Sequence, residues 1–290
     1  MTNHAGMGIV LVIGQQTMFA AETVVVHQIG GALSLPQIAL LRSIGGIGLV
    51  IVLARGVVRP VFVTGQLWLQ VARGLTSAGY LLVFAYSFTR LPLTDATALS
   101  YSTPLYLTLF APLLLGEQVG TRRWLGVVIG LFGAAIMIRP GLGSISSTHL
   151  LVFVGTSLNG LATVLTARLQ RRDSPLTVML YLNIVSILYF SPDTIVHATS
   201  VQVSPLLFTL LLFGPIGQYL GILALRHAEV STLAPYTYVR LILAGCAAVF
   251  LFGEMPSIWT VVGASIIIAS CFLAAPTRQI PARLSRAVVE

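Results

Sequence analysis

Lysine is absent from this chain of 290 residues, so all sixteen of its strong side-chain cations are arginines. A phosphate-binding G-x-x-x-x-G-K-[ST] loop is thereby excluded, and with it work driven by a P-loop of the chain's own. Charge of either sign is scarce, at 8% of residues against about 25% in ordinary soluble domains. Apolar residues make up 56%, and the mean hydropathy is +0.94. A water-facing surface cannot be built from this material, so the protein must present apolar surface to lipid. The two cysteines, Cys246 and Cys271, fall inside apolar runs and read as small packing residues, not as a disulfide or metal pair. No H-E-x-x-H or Cys/His cluster occurs, and paired aspartates are missing. The five histidines (His4, His27, His149, His197 and His227) lie near the ends of apolar runs, which leaves an intramembrane hydrolase without a deep base. The expectation is therefore a protein that is not an enzyme and needs no cofactor. The basic balance does not suggest nucleic acid, because the arginines are scattered between apolar runs. The start, MTNHAGMG, lacks the basic region of a secretory signal, so the first apolar run is expected to be a retained span.

Crossing the hydrocarbon core takes about 20 mostly apolar residues. Stretches of that kind run at 8–28, 35–54, 67–88, 94–115, 121–138, 149–168, 175–191, 205–225, 231–252 and 257–275. Helix punctuation marks many of their ends, among them Pro36, Thr121, Pro140-Gly141, Ser174-Pro175, Ser204-Pro205 and Ser257. Ten spans place Arg55, Arg59, Arg122, Arg123, Arg168, Arg171, Arg172, Arg226, Arg278, Arg283 and Arg286 on one side, and only Arg90 and Arg139 on the other. Cytoplasmic loops carry the excess of basic residues. Both termini are accordingly expected on the cytoplasmic side of a cell (inner) membrane, and a count of nine or eleven spans would scramble this separation.

Offset by 137 positions, residues 85–140 align without a gap on 222–277. Tyr101 then meets Tyr238, Gly116-Glu117 meets Gly253-Glu254, and Gly126 meets Gly263. The spacing matters more than the few identities: in each half a span carrying Tyr runs to a Gly-Glu pair, and another span opens soon after. Five spans per half is an odd number, so the second half must sit upside down relative to the first. Inverted repeats of this kind recur in secondary transporters, where the solute site lies near the midplane between them.

The stretch ARGLTSAGYLLVFAYSFTRLPLTDATALSYSTPLYLTLFAPLLLGEQVGTRRWLGVVIGLFGAAIMIRPG, from Ala72, resembles the first-half signature of EamA-type transporters of the drug/metabolite transporter superfamily. The stretch GQYLGILALRHAEVSTLAPYTYVRLILAGCAAVFLFGEMPSIWTVVGASIIIAS, from Gly217, resembles the second-half signature. The resemblance implies an all-α membrane protein of ten helices in two inverted five-helix repeats, over 1–142 and 143–278, with 279–290 as a cytoplasmic tail. It also implies a central cavity lined by the first four helices of each half, with the fifth and tenth at the periphery. Its expected partners are a small-molecule solute and the lipid bilayer, and the chain would act as a monomer or homodimer.

Ionisable side chains at membrane depth cost roughly 2.5–3.5 kcal/mol on insertion scales and are functional candidates by default. Glu22, Arg42, Arg73 and Arg240 lie well inside the expected spans. Arg240 is the deepest, ~14 Å from its helix start at ~1.5 Å per residue. Arg42 and Glu22 share the outer half and could meet. One reading is a net-positive cavity in which Arg240 and Arg42 grip a carboxylate or phosphate with their bidentate forks. The other is that Glu22 pairs with one arginine while the rest bond helix carbonyls to fix packing, with Arg73 snorkelling from near the inner face. Glu22 is either a structural partner or the protonatable group of a cycle driven by a proton gradient. Tyr101 and Tyr238 sit in helix-perturbing contexts, SYSTP and PYTY, where Pro104 and Pro235 mark expected breaks that would line a cavity. Gln15, Gln16 and Asn159 are mid-span polar groups that serve either as cavity lining or as interhelical contacts. Glu117 and Glu254 are expected to accept from N–H groups opening the next helix. Gly126-x-x-x-Gly130 reads as a close-packing motif within its own repeat, with a dimer as the alternative.

These features point to a secondary transporter of small polar metabolites (amino acid-like, carboxylate- or phosphate-bearing) working by alternating access. Its closest rival is an exporter of lipophilic or cationic drugs; a membrane-embedded enzyme or a scaffold is more remote.

Overall fold

The computed structural model describes residues 2–29, 33–57, 59–88, 90–91, 99–138, 147–196, 205–252 and 257–274. These residues are all-α. In chain order they form α1 (Thr2–Ile29), α2 (Leu35–Leu53), α3 (Leu67–Phe88), α4 (Thr103–Leu115) and α5 (Thr121–Ile138). The second half follows with α6 (Ser147–Leu169), α7 (Pro175–Val196), α8 (Pro205–His227), α9 (Val239–Phe252) and α10 (Ile258–Ala274). A 3-10 turn, Arg59–Phe62, precedes α3. A one-turn helix, Val230–Leu233, and a 3-10 turn, Ala234–Tyr238, lead into α9.

Local chemistry explains several of these boundaries. Ser34 caps α2 in a reciprocal box: its hydroxyl accepts from the Gln37 N–H, the Gln37 side chain accepts from the Ser34 N–H, and Pro36 occupies the first turn. At α7 the Ser174 hydroxyl accepts from the Thr177 N–H at 3.1 Å, and at α10 Ser257 does the same for Thr260 at 3.2 Å. α4 ends at Gly116, whose φ of 72° favours glycine because it lacks a Cβ.

Among the described residues, five helices (α1, α2, α6, α7 and α8) contain a stretch long and apolar enough to cross a membrane by length and composition. α4 and α10 are shorter apolar helices. The expected ten helices are therefore present, but they are not ten uniform spans. The expected span at 231–252 is divided by its 3-10 turn, and the turn at Tyr101-Ser102 precedes α4. α3 is long enough but dilutes its apolar content with Gln70, Arg73, Thr76 and Ser77. Large apolar side chains such as Leu113, Phe132, Phe250 and Phe272 stand exposed, as a lipid-facing surface requires.

The helices pack across the halves in pairs. α1 packs on α8 and α3 on α6; α1 packs on α9 and α4 on α6; α2 packs on α8 and α3 on α7. Exchanging each helix with the one five places on turns the first member of every pair into the second. The remaining major contacts, α2 with α7 and α5 with α10, map onto themselves. This is the contact pattern of an inverted repeat. It also corrects the reading of Gly126-x-x-x-Gly130 as packing within one repeat. A Cβ on Gly126 would lie 2.7 Å from the Ala274 Cβ on α10, and one on Gly130 would meet the Tyr238 ring. Both glycines serve contacts between the halves.

Gly126→Ala is accordingly expected to lower the thermal unfolding midpoint of the purified protein, because overpacking a close helix contact costs about 1–3 kcal/mol. Gly48→Ala, at a helical glycine with no atom near its would-be Cβ, should leave the midpoint unchanged or raise it.

Candidate functional site

α1 and α8 run antiparallel with a face of small residues between them. Gly214, Gly217 and Gly221, spaced by three and four, share one face of α8. Would-be Cβ atoms there would strike Glu22 and Arg42, Phe19, and Gln15 in turn. The absence of side chains on α8 thus admits the polar side chains of α1. Gln15 is half-buried against Gly221, while Gln16 is buried, with its amide donating to the Gln15 side chain at 3.5 Å.

One turn beyond Phe19, Glu22 forms an ion pair with Arg42 of α2 at 3.4 Å. The Glu22 side chain is 8% exposed and that of Arg42 is 33% exposed. The second carboxylate oxygen, Oε1, is buried without a hydrogen-bond partner among the described residues. The Arg42 guanidinium also lies 4.8 Å from the centre of the Phe19 ring. Arg240 reaches the same ring from α9 at 5.6 Å and donates to the Thr23 hydroxyl at 2.8 Å. Two guanidinium groups therefore share one aromatic ring, and only one of them has a carboxylate partner among the described residues.

Arg73 lies in the buried seam between α3 and α6, where its Nε donates to the Thr166 hydroxyl at 2.8 Å. Its Nη1 is buried without a hydrogen-bond partner among the described residues. The field of Arg42 reaches both Arg73 and Tyr80 of α3, and that of Arg240 reaches Tyr80 and Tyr101. Arg42, Arg73, Arg240, Tyr80 and Tyr101 thus belong to one electrostatic neighbourhood of net positive charge. Below Arg73, Gln70 is wholly buried and donates to Asp173 at 2.8 Å, and Thr64 donates to the same oxygen at 2.7 Å.

Tyr101 and Tyr238 meet face to face, with ring centres 6.4 Å apart and planes 24° from parallel. Tyr238 is fully buried over Gly130, and its hydroxyl donates to the Val127 carbonyl at 3.1 Å. Pro104 is the second residue of α4 and Pro235 lies within the 3-10 turn, so each stands beside its tyrosine where regular helix is interrupted. Asn159 is half-buried on α6, one residue from Gly160, against which Tyr106 of α4 packs.

Glu117 differs from its expectation. It does not cap the helix that follows it. Its carboxylate accepts from the Val230 N–H at 2.8 Å and the Ser231 N–H at 3.0 Å, and from the Ser231 hydroxyl at 2.7 Å. The capped turn belongs to the opposite half, where Arg123 also pairs with Glu229 and donates to Ser231. Glu254 lies outside the described residues. No group of three or more metal-ligating side chains occurs among the described residues.

Sequence reasoning missed Phe19, Thr23, Tyr80, Thr166 and Gly214. The three-four spacing of Gly214, Gly217 and Gly221 was the available signal for a close helix face. The Gln70-x-x-Arg73 spacing likewise put two polar groups on one face of α3.

Known proteins give a consistent comparison. The model of the EamA-like transporter family matches residues 6–139 and again 146–275. The S-adenosylmethionine uptake transporter of Rickettsia prowazekii (strain Madrid E) is 27% identical over 208 residues, covering 71% of this chain and 70% of that protein. The pseudopaline exporter CntI of Pseudomonas aeruginosa (strain UCBPP-PA14) is 25% identical over 278 residues, or 94% and 97% of the two chains. The riboflavin transporter of Rhizobium johnstonii (strain DSM 114642 / LMG 32736 / 3841) is 27% identical over 210 residues, or 71% and 70%. A protein of known crystal structure superposes with a TM-score of 0.78 at 18% identity, covering 98% of this chain and 99% of that one, a likeness of fold.

Removing one member of the Glu22–Arg42 pair strands the other. Arg42→Gln, which leaves the more buried carboxylate alone, should cost on the order of 2 kcal/mol once discounted for partial exposure. The double variant Glu22→Gln/Arg42→Gln should recover more than half of that loss in thermal unfolding of the purified protein.

Proposed function

Because the chain belongs to the EamA-like transporter family, we propose that it is a secondary carrier of small polar metabolites bearing a carboxylate or phosphate. Membership establishes a small-molecule transporter in a multi-pass membrane protein; the solute class and the working cycle are the proposal. The observation that carries it is Arg240, a cation inside the bundle whose described contacts are the Thr23 hydroxyl and the Phe19 ring. A half-buried guanidinium at membrane depth with no carboxylate beside it among the described residues is costly, and an incoming anion offsets that cost. Arg42 supplies the second fork: a solute anion takes the place of Glu22, whose charge now neutralises it. Phe19, Tyr80 and Tyr101 give the same space aromatic walls that accept the apolar part of a metabolite.

The moving units are the halves 1–142 and 143–278, which rock about the intervening site in a cell (inner) membrane. The arginine asymmetry supports an orientation with both termini in the cytoplasm. Gln15 and Asn159 lie mid-helix on α1 and α6, which correspond across the repeat, and line the two approaches to the site. Tyr238 contributes the ring that backs Tyr101, since its hydroxyl is engaged by the Val127 carbonyl. The unpartnered Oε1 of Glu22 favours a cycle coupled to a proton: protonation would release Arg42 to the solute. The relatives are named for different solutes and for both uptake and export. They support a metabolite carrier and leave the solute class to be argued from the arginines.

The test is uptake into proteoliposomes from a panel of amino acids, nucleotides, vitamins and organic cations, with and without a pH gradient. Transport of anionic or zwitterionic solutes is expected, and Arg240→Ala should reduce it by at least tenfold, about 1.4 kcal/mol of lost binding. Transport confined to lipophilic cations, or an Arg240→Ala protein with unaltered uptake of every solute, would falsify the proposal. Glu22→Gln should abolish the response to the pH gradient while leaving solute exchange at equal pH intact.

A further inference from the structure

A second candidate site lies at the arginine-rich end of the bundle, apart from the Arg42–Arg240 cluster. A cavity of about 590 Å³ opens there between the C-terminal ends of α4, α6 and α8. That volume falls within the range of small-molecule sites, about 300–1,000 Å³. Its apolar lining comes from Leu115, Ala167 and Leu225, which pack against the buried cluster of Leu107, Ala111, Val164 and Val230. The apolar cluster therefore separates the cavity from the tyrosine layer deeper in the bundle.

The charges around this cavity are unequally committed. Its two carboxylates are occupied: Glu117 by the Val230 and Ser231 N–H groups and the Ser231 hydroxyl, and Glu229 by Arg123. Its two arginines are not. Arg171 spends one N–H on the Leu115 carbonyl at 2.7 Å, which leaves most of its five donors, and Arg226 is exposed with no partner among the described residues. Gln170, in the same wall, is nine-tenths buried and its amide donates to the Ile222 carbonyl, which fixes the wall between the two arginines. An open, metabolite-sized cavity with neutralised acids and two unspent guanidinium forks can take an anion, the forks offsetting the negative ends of the three helices that meet there.

We propose that this cavity is a loading site that holds a soluble anionic metabolite, through its carboxylate or phosphate, on Arg171 and Arg226 at the cytoplasmic mouth of the carrier. Its place on the cytoplasmic side and the identity of its ligand with the transported solute rest on the carrier reading above. The capture of an anion does not. The Glu117 clamp forms one wall of the cavity, so the solute waits beside the contact that joins the two halves. The same oxygen chemistry is available from a lipid headgroup, and the test separates the two sources.

The experiment uses the full chain with Cys246→Ser and Cys271→Ala, and Ala167→Cys as a reporter on the cavity wall. It is reconstituted in phosphatidylcholine vesicles and labelled with a membrane-impermeant maleimide from either side. Inorganic phosphate and citrate are the probes, with chloride at matched ionic strength as the control. Either probe should slow labelling several-fold from the arginine-rich face, with chloride ineffective. Arg171→Gln/Arg226→Gln should abolish that protection, and Arg171→Lys/Arg226→Lys should retain part of it. Labelling blind to both probes, or protection that survives the double Gln variant, would overturn the site. So would protection by phosphatidylglycerol in the vesicles to which soluble anions add nothing, because lipid phosphate would then be the occupant. Protection in vesicles that transport no anion would retain the site while removing the carrier reading.

Discussion

The ion pair between Glu22 and Arg42 stands where lipid surrounds the bundle and unpaired charge is costly, and the arrangement around it follows from keeping that charge inside. α8 makes room by presenting Gly214, Gly217 and Gly221 to α1 in place of side chains. Phe19 serves two guanidinium groups at once, drawing Arg42 and Arg240 to one ring and so bringing α2 and α9 toward α1. The candidate site is therefore part of the helix packing, drawing on residues of four helices. On the proposed reading, a solute that replaced Glu22 at Arg42 would also alter what joins α1 to α2.

The polar contacts across the halves do similar work nearer the arginine-rich end. Glu117 and Arg123 clamp the turn that opens with Val230, and Asp173 draws in Gln70 and Thr64 from the other half. Each joins residues more than a hundred positions apart. Because the amide and carboxylate groups are matched one to another instead of to water, they specify which helix ends meet. The α5–α10 pair is held differently, through glycines such as Gly126 and Gly133 that bring the backbones close together.

Much of this was legible in the sequence because one constraint dominates it. Apolar runs and scattered arginines mark where lipid must be, and the recurrence of Tyr and Gly-Glu at a fixed offset exposes the two halves. Glu22 and Arg42 could be placed at one depth by counting residues, and the structure joins them. The partner of Glu117 could not be read, because a carboxylate after a glycine caps a neighbouring helix and a distant one by the same chemistry, and only the tertiary fold chooses. The interruption at Ala234–Tyr238 was marked by Pro235, but the fully buried position of Tyr238 depends on Gly130 of another helix. Phe19 and Tyr80 carry no signal of their own in a chain rich in apolar residues; their importance comes from the arginines that gather around them.

The central claim is that the interior of this transporter recognises negative charge through Arg240. A thermal-shift screen of the purified full chain against anionic, zwitterionic and cationic metabolites tests it without requiring a transport assay. The account predicts that stabilising compounds bear a carboxylate or phosphate and that Arg240→Ala removes the stabilisation, measured from that variant's own unliganded midpoint. Stabilisation by lipophilic cations alone, or by anions equally well in the Arg240→Ala protein, would contradict it.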